Sequence, residues 1–265
     1  MRIKIYILTY RRPDILNETL KSLFASNAFM VDSDNIEVNV INNHSEFSMT
    51  SEFEKRVKVL HNNLRSDLST GHLARSWNQA LIFGFRDLKN PDCDLVITLQ
   101  DDVILEKHWL SNLKNLHDVD GFSFVQAGHG DALCSYTAEA VRKVGLWDER
   151  YLMGLQASDY FYRQLMFNWD GCSIMDSGHR RVHNQRNVPI VKHSFEGLHW
   201  PDLGIDLDIG TKLSEIKYGS PNYLWPWTEE NKQRARTMKF KNYNFIFYPY
   251  FEKDVYDLEE KGYLR

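Results

Sequence analysis

The chain has 265 residues, enough for one large domain or two small ones with a buried core. Hydrophobic residues make up 43% of it and charged residues 26%, a balance that is typical of globular proteins and favours neither a disordered nor a fibrous chain. The formal net charge of -4 argues against a protein whose main task is to bind nucleic acid phosphates.

The cysteines and the apolar runs indicate the cellular compartment. Cys93, Cys134 and Cys172 are far apart and form no CxxC pair, which favours a reducing compartment over a disulfide framework or a cysteine zinc site. The apolar run at 3–8 is too short for a signal peptide, and no run is long enough to span a bilayer. We therefore expect a soluble cytoplasmic protein, with peripheral membrane contact left open.

Short apolar runs alternate with segments of helical spacing through the first half of the chain. Four of these runs predict strands, at residues 3–8, 36–41, 57–60 and 95–99. Helices are predicted from Asp14, which can cap the first of them, and over about 72–88. This alternation predicts βαβ units and a mostly parallel sheet.

The second half is less regular. It predicts helices over 109–116, from Thr137 and from about 157–159, and strands over 122–127 and 132–136. Beyond about residue 178 the periodicity fades. We therefore expect a core over 1–178 and an irregular extension over 179–265 that packs on this core.

Acidic residues follow the strand that is predicted at 95–99. Open α/β sheets place their ligands at the carboxyl ends of the strands, where Asp101 and Asp102 stand. Two adjacent carboxylates repel each other unless positive charge lies beside them, and hard divalent cations prefer such oxygens. The alternative is that the two aspartates only end the strand, since Asp favours turns and caps.

Several short segments form an ordered pattern along the chain. They are Ile7-Leu8-Thr9-Tyr10-Arg11-Arg12, Val40-Ile41-Asn42-Asn43, Gly71 with Ala74-Arg75 and Asn78-Gln79-Ala80, Gln100-Asp101-Asp102, and Gly145-Leu146-Trp147-Asp148-Glu149 with Ser158-Asp159 and Arg163. In order and spacing the pattern resembles the nucleotide-sugar glycosyltransferases of the GT-A fold, in the broad family 2 class. The resemblance implies an α/β, Rossmann-like fold in which helices flank a mostly parallel central sheet. The extension would then serve the acceptor side or an oligomer contact.

The resemblance also implies an activity. The chain would move a sugar from a nucleotide-diphosphate sugar, by default a UDP-sugar, to a hydroxyl of a glycan or glycoconjugate acceptor. The reaction would invert the anomeric centre and would use Mn2+ or Mg2+. Nucleic acid is not expected as a partner, and a homodimer is left open.

The acidic pair resembles the DxD motif of this family. By that resemblance Asp102 contacts the metal, which clamps the donor phosphates, while Asp101 lies near the ribose or the metal's waters. Gln100 stands where the motif has its first Asp; it can hydrogen-bond a ribose hydroxyl but adds no charge. A late histidine often supplies a further metal ligand in this fold, and His193 and His199 are the candidates.

Asp159 resembles the catalytic base of the family. Such a carboxylate takes the proton of the acceptor hydroxyl as its oxygen attacks the sugar. A helix amino terminus at Ser158 and Asp159 would help to keep the carboxylate ionised, although the family usually has Glu where Ser158 stands. The alternative is that Asp159, or Ser158 before it, is only the N-cap of a helix.

The remaining candidates would hold the donor. Thr9, Asn42 and Asn43 would line the nucleoside pocket, where an Asn oxygen can accept a hydrogen bond from the base. Arg75 would reach a phosphate or pair with Asp101. The other candidates for donor binding are Tyr10, Arg12, Gly71, Asn78 and Arg65. Of these, Arg65 would reach the nucleobase.

Two other classes of protein stay open. A nucleotidyltransferase or pyrophosphorylase shares this sheet and metal use, but it would usually carry a glycine-rich loop where this chain has Thr9-Tyr10-Arg11-Arg12-Pro13. A non-catalytic carbohydrate-binding protein on the same scaffold is the other class, because Gln100 and Ser158 differ from the residues that the family usually has at these positions. The run Gly128-His129-Gly130-Asp131 predicts either an acceptor-side loop or a plain turn.

Overall fold

A computed structural model gives the fold of most of the first 176 residues and of parts of the extension. The described residues are 1–26, 35–44, 47–62, 72–151, 155–176, 181–182, 190–193, 207–219, 230 and 233–234. Three of the predicted site residues, Arg65, Gly71 and His199, lie outside these ranges. Where a residue of a strand or helix has no described side chain, as for His193, only its place in the element is used below.

The described residues fold around an eight-stranded sheet with the order β3-β2-β1-β4-β7-β6-β8-β9. Its strands are β1 Ile3–Thr9, β2 Ile36–Asn42, β3 Lys58–His61, β4 Leu95–Gln100, β6 Phe124–Ala127, β7 Leu133–Tyr136, β8 Cys172–Asp176 and β9 Arg181–Val182. Two further strands, β5 Val103–Leu105 and β10 Val191–His193, pair with each other in a separate antiparallel ribbon.

The predicted mostly parallel α/β sheet is confirmed. β3, β2, β1 and β4 run parallel to one another, with β1 between β2 and β4. β7 is antiparallel to both of its neighbours, and β8 is again parallel to β6. β1 and β4 are almost wholly buried, which agrees with their nearly continuous apolar sequences.

Helices cover both faces of the sheet. They are α1 Pro13–Ala25, α2 Ser51–Glu54, α3 His72–Phe85, α4 Trp109–Asp118, α5 Ala138–Val144, α6 Leu155–Phe167 and α7 Leu207–Tyr218. Alternate residues of β1 point to opposite cores, because Ile5 and Ile7 pack with α1 and α4 whereas Tyr6 and Leu8 pack with α3, α5 and α6. The described residues include no helix that is long and apolar enough to cross a membrane.

Two predictions about helix starts are corrected. Asp14 does not cap α1, because the N-cap residue is Arg12 and Pro13 opens the helix, a position where proline costs no hydrogen bond. Asp14 lies inside the first turn, where its carboxylate accepts from the Arg12 guanidinium at 3.1 Å. In contrast, the predicted cap at Thr137 is confirmed, since its hydroxyl accepts from the backbone N–H of Ala140 at 3.3 Å.

The start of α6 differs from the prediction in a way that matters for the site. The helix includes Leu155, so Asp159 is an interior residue and the idea that Asp159 or Ser158 caps the helix is wrong. Asp159 is fully buried in the second described turn. The stabilisation by a helix amino terminus, which fades beyond the first turn, therefore contributes little there.

The described parts of the extension contact the core. β9 pairs with β8, and β10 pairs with β5. α7 packs on α6, where Gly210 fits closely against Leu155: a Cβ at this glycine would lie 2.2 Å from the Leu155 Cδ1 atom. Glycine at this contact lets the two helices approach closely.

Candidate active site

The carboxyl ends of β1, β2 and β4 bring the predicted donor residues together. Thr9 pairs with Asn42 across β1 and β2, and Leu8 pairs with Gln100 across β1 and β4. The backbone N–H of Asn43 donates to the Thr9 carbonyl at 3.1 Å. The register therefore places Thr9 between the asparagines on one side and the acidic turn on the other.

The acidic residues form a tight turn between β4 and β5. The Thr19 hydroxyl, on α1, lies 2.5 Å from the carbonyl oxygen of Asp101 and 2.8 Å from that of Val103. The Ser22 hydroxyl, one turn further along α1, accepts from the backbone N–H of Leu105 at 3.2 Å. The backbone of this turn is thus held by a helix, which fixes where the two carboxylates stand.

The Asp101 carboxyl lies in a setting that disfavours two negative charges. Burial and the neighbouring Asp102 charge raise the pKa of Asp101 to about 7, although the Thr9 side chain and the Tyr10 backbone hydrogen-bond to it and oppose the shift. Among the described residues, none gives Asp101 Oδ2 a hydrogen bond, and this atom is buried. A divalent cation fits such a place, because it supplies the missing positive charge and takes hard oxygen ligands.

The ribbon of β5 and β10 brings a histidine to the same turn. His193 lies opposite Val103 in the antiparallel register, and Val103 directly follows Asp102 in the sequence. Within the described part of the chain, no three His, Cys, Asp or Glu side chains gather as a metal site. The turn itself provides two carboxylates. The register of the ribbon brings the backbone of His193 alongside the residue that follows them.

The two asparagines at the end of β2 are held by their neighbours. The Asn42 amide donates to the His44 carbonyl at 2.5 Å, and its Oδ1 accepts from the His44 backbone at 3.1 Å. The Asn43 amide donates to the Ser76 hydroxyl at 3.0 Å, and its Oδ1 accepts from Asn62 at 2.9 Å. An amide oxygen has two lone pairs, so each oxygen keeps the capacity to accept a second hydrogen bond.

Tyr10 and Arg12 lie in the turn from β1 into α1. Between them Arg11 has a positive φ of 63°, a conformation that is strained for a residue with a Cβ. The Tyr10 ring meets the His44 ring edge-on at 5.5 Å, and the Arg11 guanidinium lies 5.0 Å from the Tyr10 ring centre. An aromatic ring thus stands where β1 and β2 end, in contact with His44.

Arg75 and Asn78 lie on α3 and both contact the turn before α6. The Arg75 guanidinium pairs with Glu149 at 3.5 Å, which replaces the predicted ion pair with Asp101. The Asn78 amide donates to the Trp147 carbonyl and to Glu149, both at 2.9 Å, and its oxygen accepts from the Trp147 backbone at 2.7 Å. In this structure the Asn78 side chain positions the turn.

Asp159 lies in a buried network of charges. Its Oδ1 accepts from the Lys217 ammonium and from the Tyr218 hydroxyl, both at 2.6 Å, and its Oδ2 accepts from Arg163 at 2.9 Å. Lys217 also donates to Asp148 at 3.0 Å. Burial opposes the charge on Asp148, but Lys217 and Arg150 lower the pKa of Asp148 below its usual value. α7 is thereby fixed to α6 by ion pairs.

Sequence reasoning missed a second buried carboxylate near the acidic turn. Asp131 is 5% exposed and lies in the turn before β7. Its Oδ1 accepts from the Gln100 amide at 2.7 Å, and its Oδ2 accepts from the Trp77 indole at 2.7 Å and from the Gln156 amide at 3.4 Å. The sequence signal was only a Gly-His-Gly-Asp run, which does not distinguish this place from a plain turn.

The fold and the residues at the strand ends together define a class of protein. A mostly parallel sheet carries an acidic turn, a buried hydroxyl and two asparagines at the carboxyl ends of neighbouring strands, as in nucleotide-sugar transferases of the GT-A fold. Residues 4–181 match the family described as Glycosyl transferase family 2. This span covers about two thirds of the chain, and the chain belongs to this family of glycosyltransferases. No curated protein matches the sequence.

Solved structures share the fold at low sequence identity. S. aureus TarS 1-349 is 11% identical with a TM-score of 0.54, and the alignment covers 89% of this chain and 69% of that chain. Its complex with UDP is 12% identical with a TM-score of 0.53, covering 89% of this chain and 70% of that chain. At these identities the likeness shows the GT-A fold alone.

A second solved relative is more distant in structure. The mannosyltransferase PcManGT from Pyrobaculum calidifontis, solved with GDP-Man and Mn2+, is 14% identical with a TM-score of 0.46. The alignment covers 66% of this chain and 54% of that chain, so this chain spans about half the length of that enzyme chain.

Proposed function

We propose that this protein is a metal-dependent glycosyltransferase that moves a sugar from a nucleotide-diphosphate sugar to a hydroxyl of a glycan or glycoconjugate, with inversion. The observation that carries the proposal is the Asp101–Asp102 turn at the carboxyl end of β4. The Thr19 hydroxyl holds the backbone of this turn, and the Thr9 side chain hydrogen-bonds the Asp101 carboxyl. Family membership supplies the reaction class. The turn supplies the place where a diphosphate and its cation would bind.

Mn2+ or Mg2+ is the proposed cofactor. Asp102 would hold it directly, and Asp101, whose Oδ2 is buried, would lie beside it. His193 and His199 remain the candidates for a further ligand, and the β5–β10 register sets the backbone of His193 opposite Val103. When bound, the cation would act as a Lewis acid that stabilises the negative charge on the leaving diphosphate. Oxygens of the donor phosphates would complete its coordination.

The donor would lie across the ends of β1, β2 and β4. Asn42 and Asn43 would accept from the base through the remaining lone pairs of their amide oxygens, and Tyr10 would flank the base. We take UDP as the default nucleotide, since TarS, which shares the fold, has been solved with UDP and with UDP-GlcNAc. Gln100 would contact the ribose.

The arginines of the pocket would meet the phosphates. The Arg75 side chain is well exposed and its pairing with Glu149 is long at 3.5 Å, so a diphosphate could draw it away at small cost. Arg12 pairs with the exposed Asp14, so a phosphate could also replace Asp14 as the partner of Arg12 at small cost. Arg65 and Gly71 remain proposals from the sequence.

Asp159 as the base of the reaction stays a prediction. In the described state both of its oxygens accept hydrogen bonds from Arg163, Lys217 and Tyr218. For Asp159 to take a proton from an acceptor hydroxyl, α7 would have to move away from α6. Such a movement would have to break two buried ion pairs of Lys217, which is costly.

The proposal is tested by the release of nucleotide from donor sugars. We expect the wild type to release nucleotide from at least one of UDP-glucose, UDP-galactose, UDP-GlcNAc and GDP-mannose in the presence of Mn2+, and to lose this activity in EDTA. Asp102→Ala should lower the Mn2+-dependent rate by about 100-fold or more, since it removes the direct metal ligand. Asp170→Asn, at an exposed carboxylate on the 3-10 turn Trp169–Gly171, is the control and should retain the wild-type rate.

Two outcomes would contradict this proposal. If the wild type neither binds nor turns over any of these nucleotide sugars with metal present, the enzyme assignment fails and a non-catalytic scaffold is favoured. If the rate is the same in EDTA and in Mn2+, the protein is not metal-dependent.

A further inference from the structure

The Gln156 side chain joins α6 to the turn that precedes β7. The residue is 2% exposed, and its Nε2 donates to Asp131 Oδ2 at 3.4 Å. The Trp77 indole N–H donates to the same oxygen at 2.7 Å. An indole can only donate, so this oxygen acts as an acceptor and the NH2 group of Gln156 must face it. The orientation of the amide is thereby fixed, and Oε1 is turned away from Asp131.

The Oε1 atom of Gln156 has no hydrogen-bond donor. It is buried, and among the described residues none donates to it. Buried amide oxygens almost always have a partner, because an unmade hydrogen bond costs free energy. Rotating the amide by 180° would not help, since it would set Oε1 against the Asp131 carboxylate. An acceptor that is held in place without a partner is expected where a ligand supplies the donor.

Asp131 connects Gln156 to the acidic turn. Its Oδ1 accepts from the Gln100 amide at 2.7 Å, and Gln100 is the residue that leads into the acidic turn. The backbone N–H of Gln100 also donates to the Ala132 carbonyl at 3.0 Å, so the chain at Asp131 lies against the end of β4. The Gln156 amide therefore lies only one carboxyl group away from the residue that opens the proposed cation site.

The chemistry of the proposed donor indicates which group would meet Oε1. In a nucleotide-diphosphate sugar the transferred sugar is bonded directly to the diphosphate, so a diphosphate at the acidic turn brings the sugar hydroxyls to the residues around that turn. A hydroxyl can donate to an amide oxygen, whereas an ionised phosphate oxygen cannot. The base would lie at the opposite end of the donor, beside Asn42 and Asn43. The sugar hydroxyls are thus the donors that fit Oε1.

We propose that Gln156 is a specificity-determining residue, whose Oε1 accepts a hydrogen bond from one hydroxyl of the transferred sugar. This inference rests on the proposed function. Asp131 is the positioning residue, because it holds the Gln156 amide in the orientation that this contact needs. The contact leaves every hydrogen bond that Asp131 accepts in place. A sugar that lacks the hydroxyl leaves the buried Oε1 without a partner and binds more weakly.

Calorimetric titration of the wild type and of Gln156→Met tests this inference. The ligands are the best-binding donor among UDP-glucose, UDP-galactose, UDP-GlcNAc and GDP-mannose, and the free nucleoside diphosphate of that donor, each with Mn2+. Methionine has about the length of glutamine but offers no amide oxygen. We expect Gln156→Met to weaken binding of the sugar donor by about tenfold and to bind the nucleoside diphosphate within about twofold of the wild type, since only the sugar meets Oε1.

Gln164 provides the matched control on the same helix. It is fully buried about two turns beyond Gln156, and its amide oxygen accepts from Asn168 at 2.9 Å. Gln164→Met should keep the wild-type affinity for both ligands. Gln156→Asn gives the same comparison with a smaller change to the core, because it keeps an amide but withdraws the oxygen by one methylene. It should also weaken binding of the sugar donor alone.

A series of monodeoxy donors identifies the hydroxyl. Each analogue of the best donor lacks one sugar hydroxyl and is titrated into the wild type and Gln156→Met. The analogue that lacks the contacted hydroxyl should bind both proteins within about twofold, and the other analogues should keep the tenfold difference.

Three outcomes would overturn the inference. Equal losses of affinity for the sugar donor and the nucleoside diphosphate would show that Gln156 only supports the fold of the site. Wild-type affinity of Gln156→Met for the sugar donor would assign Oε1 to an acceptor hydroxyl or to water. The same ratio of affinities for every deoxy analogue would show that no single hydroxyl is recognised. A wild type that binds none of the four nucleotide sugars would instead contradict the proposed function itself.

Discussion

Single residues at the strand ends carry most of what could be predicted. Thr9, Asn42 and Asp101 each stand at the end of a mainly apolar run, and parallel neighbours bring the ends of such runs to one edge of the sheet. Asp131 and Lys217 could not be found in this way. Their contacts join residues that lie 31 and 58 positions apart in the chain, and nothing in the local sequence reports such a partner.

The buried Lys217 gives a prediction at the scale of one residue. Its ammonium lies between Asp148 and Asp159, and all three side chains are essentially inaccessible. Lys217→Met would leave two buried carboxylates without this cation, so we expect it to lower the free energy of unfolding by about 3–5 kcal/mol. Urea unfolding followed by circular dichroism measures this change.

A matched lysine provides the control. Lys143 pairs with Glu139 at 2.6 Å on the exposed face of α5, so Lys143→Met should change the free energy of unfolding by less than about 1 kcal/mol. Similar values for the two lysine variants would show that the Lys217 network does not stabilise the fold.

At the scale of elements, regular hydrophobic patterns were predictable and short or polar elements were not. The starts of β1, β2, α3 and α4 agree with the prediction within a residue or so, because each has a clear apolar repeat. α7 was missed, since it buries Gly210, Ser214 and Lys217, which give no apolar repeat. β5 and β10 have three residues each, too few for a pattern.

The contact between α4 and β7 gives a prediction about pH. The His117 Nδ1 donates to the Phe122 carbonyl at 2.6 Å, and Nε2 accepts from the Ser135 hydroxyl at 2.8 Å. Burial lowers the pKa of His117 to about 4, from an ordinary value of 6.5. The unfolded chain therefore takes up this proton at a higher pH than the folded protein, so stability is lost as the pH falls from 6.5 toward 4.

The expected loss is measurable by urea unfolding. Between pH 7 and pH 5 this histidine should account for a decrease of about 2 kcal/mol in the free energy of unfolding. His117→Gln, which cannot titrate, should show a smaller decrease over the same interval, whereas His108→Gln, at the exposed N-cap of α4, should follow the wild type. An unchanged pH dependence in His117→Gln would assign the loss to other groups.

For the whole molecule, the alternation of strands and helices predicted the fold class, and the family assignment agrees with it. The pattern could not predict that β7 enters the sheet antiparallel beside β4, because strand direction depends on tertiary packing. This reversal carries Asp131 to the edge where the acidic turn lies, next to Gln100. The described parts of the extension add β10 behind that turn and α7 over α6.

We propose that the strand-end carboxylates hold a cation, which would join the donor diphosphate to the protein. Calorimetric titration of UDP into the wild type, in Mn2+ and in EDTA, tests this claim most directly, with Asp102→Asn and Asp170→Asn titrated alongside. We predict at least tenfold tighter binding of UDP in Mn2+ for the wild type and Asp170→Asn, and no effect of Mn2+ for Asp102→Asn. UDP binding with the same affinity in Mn2+ and EDTA, or a full Mn2+ effect in Asp102→Asn, would contradict the account.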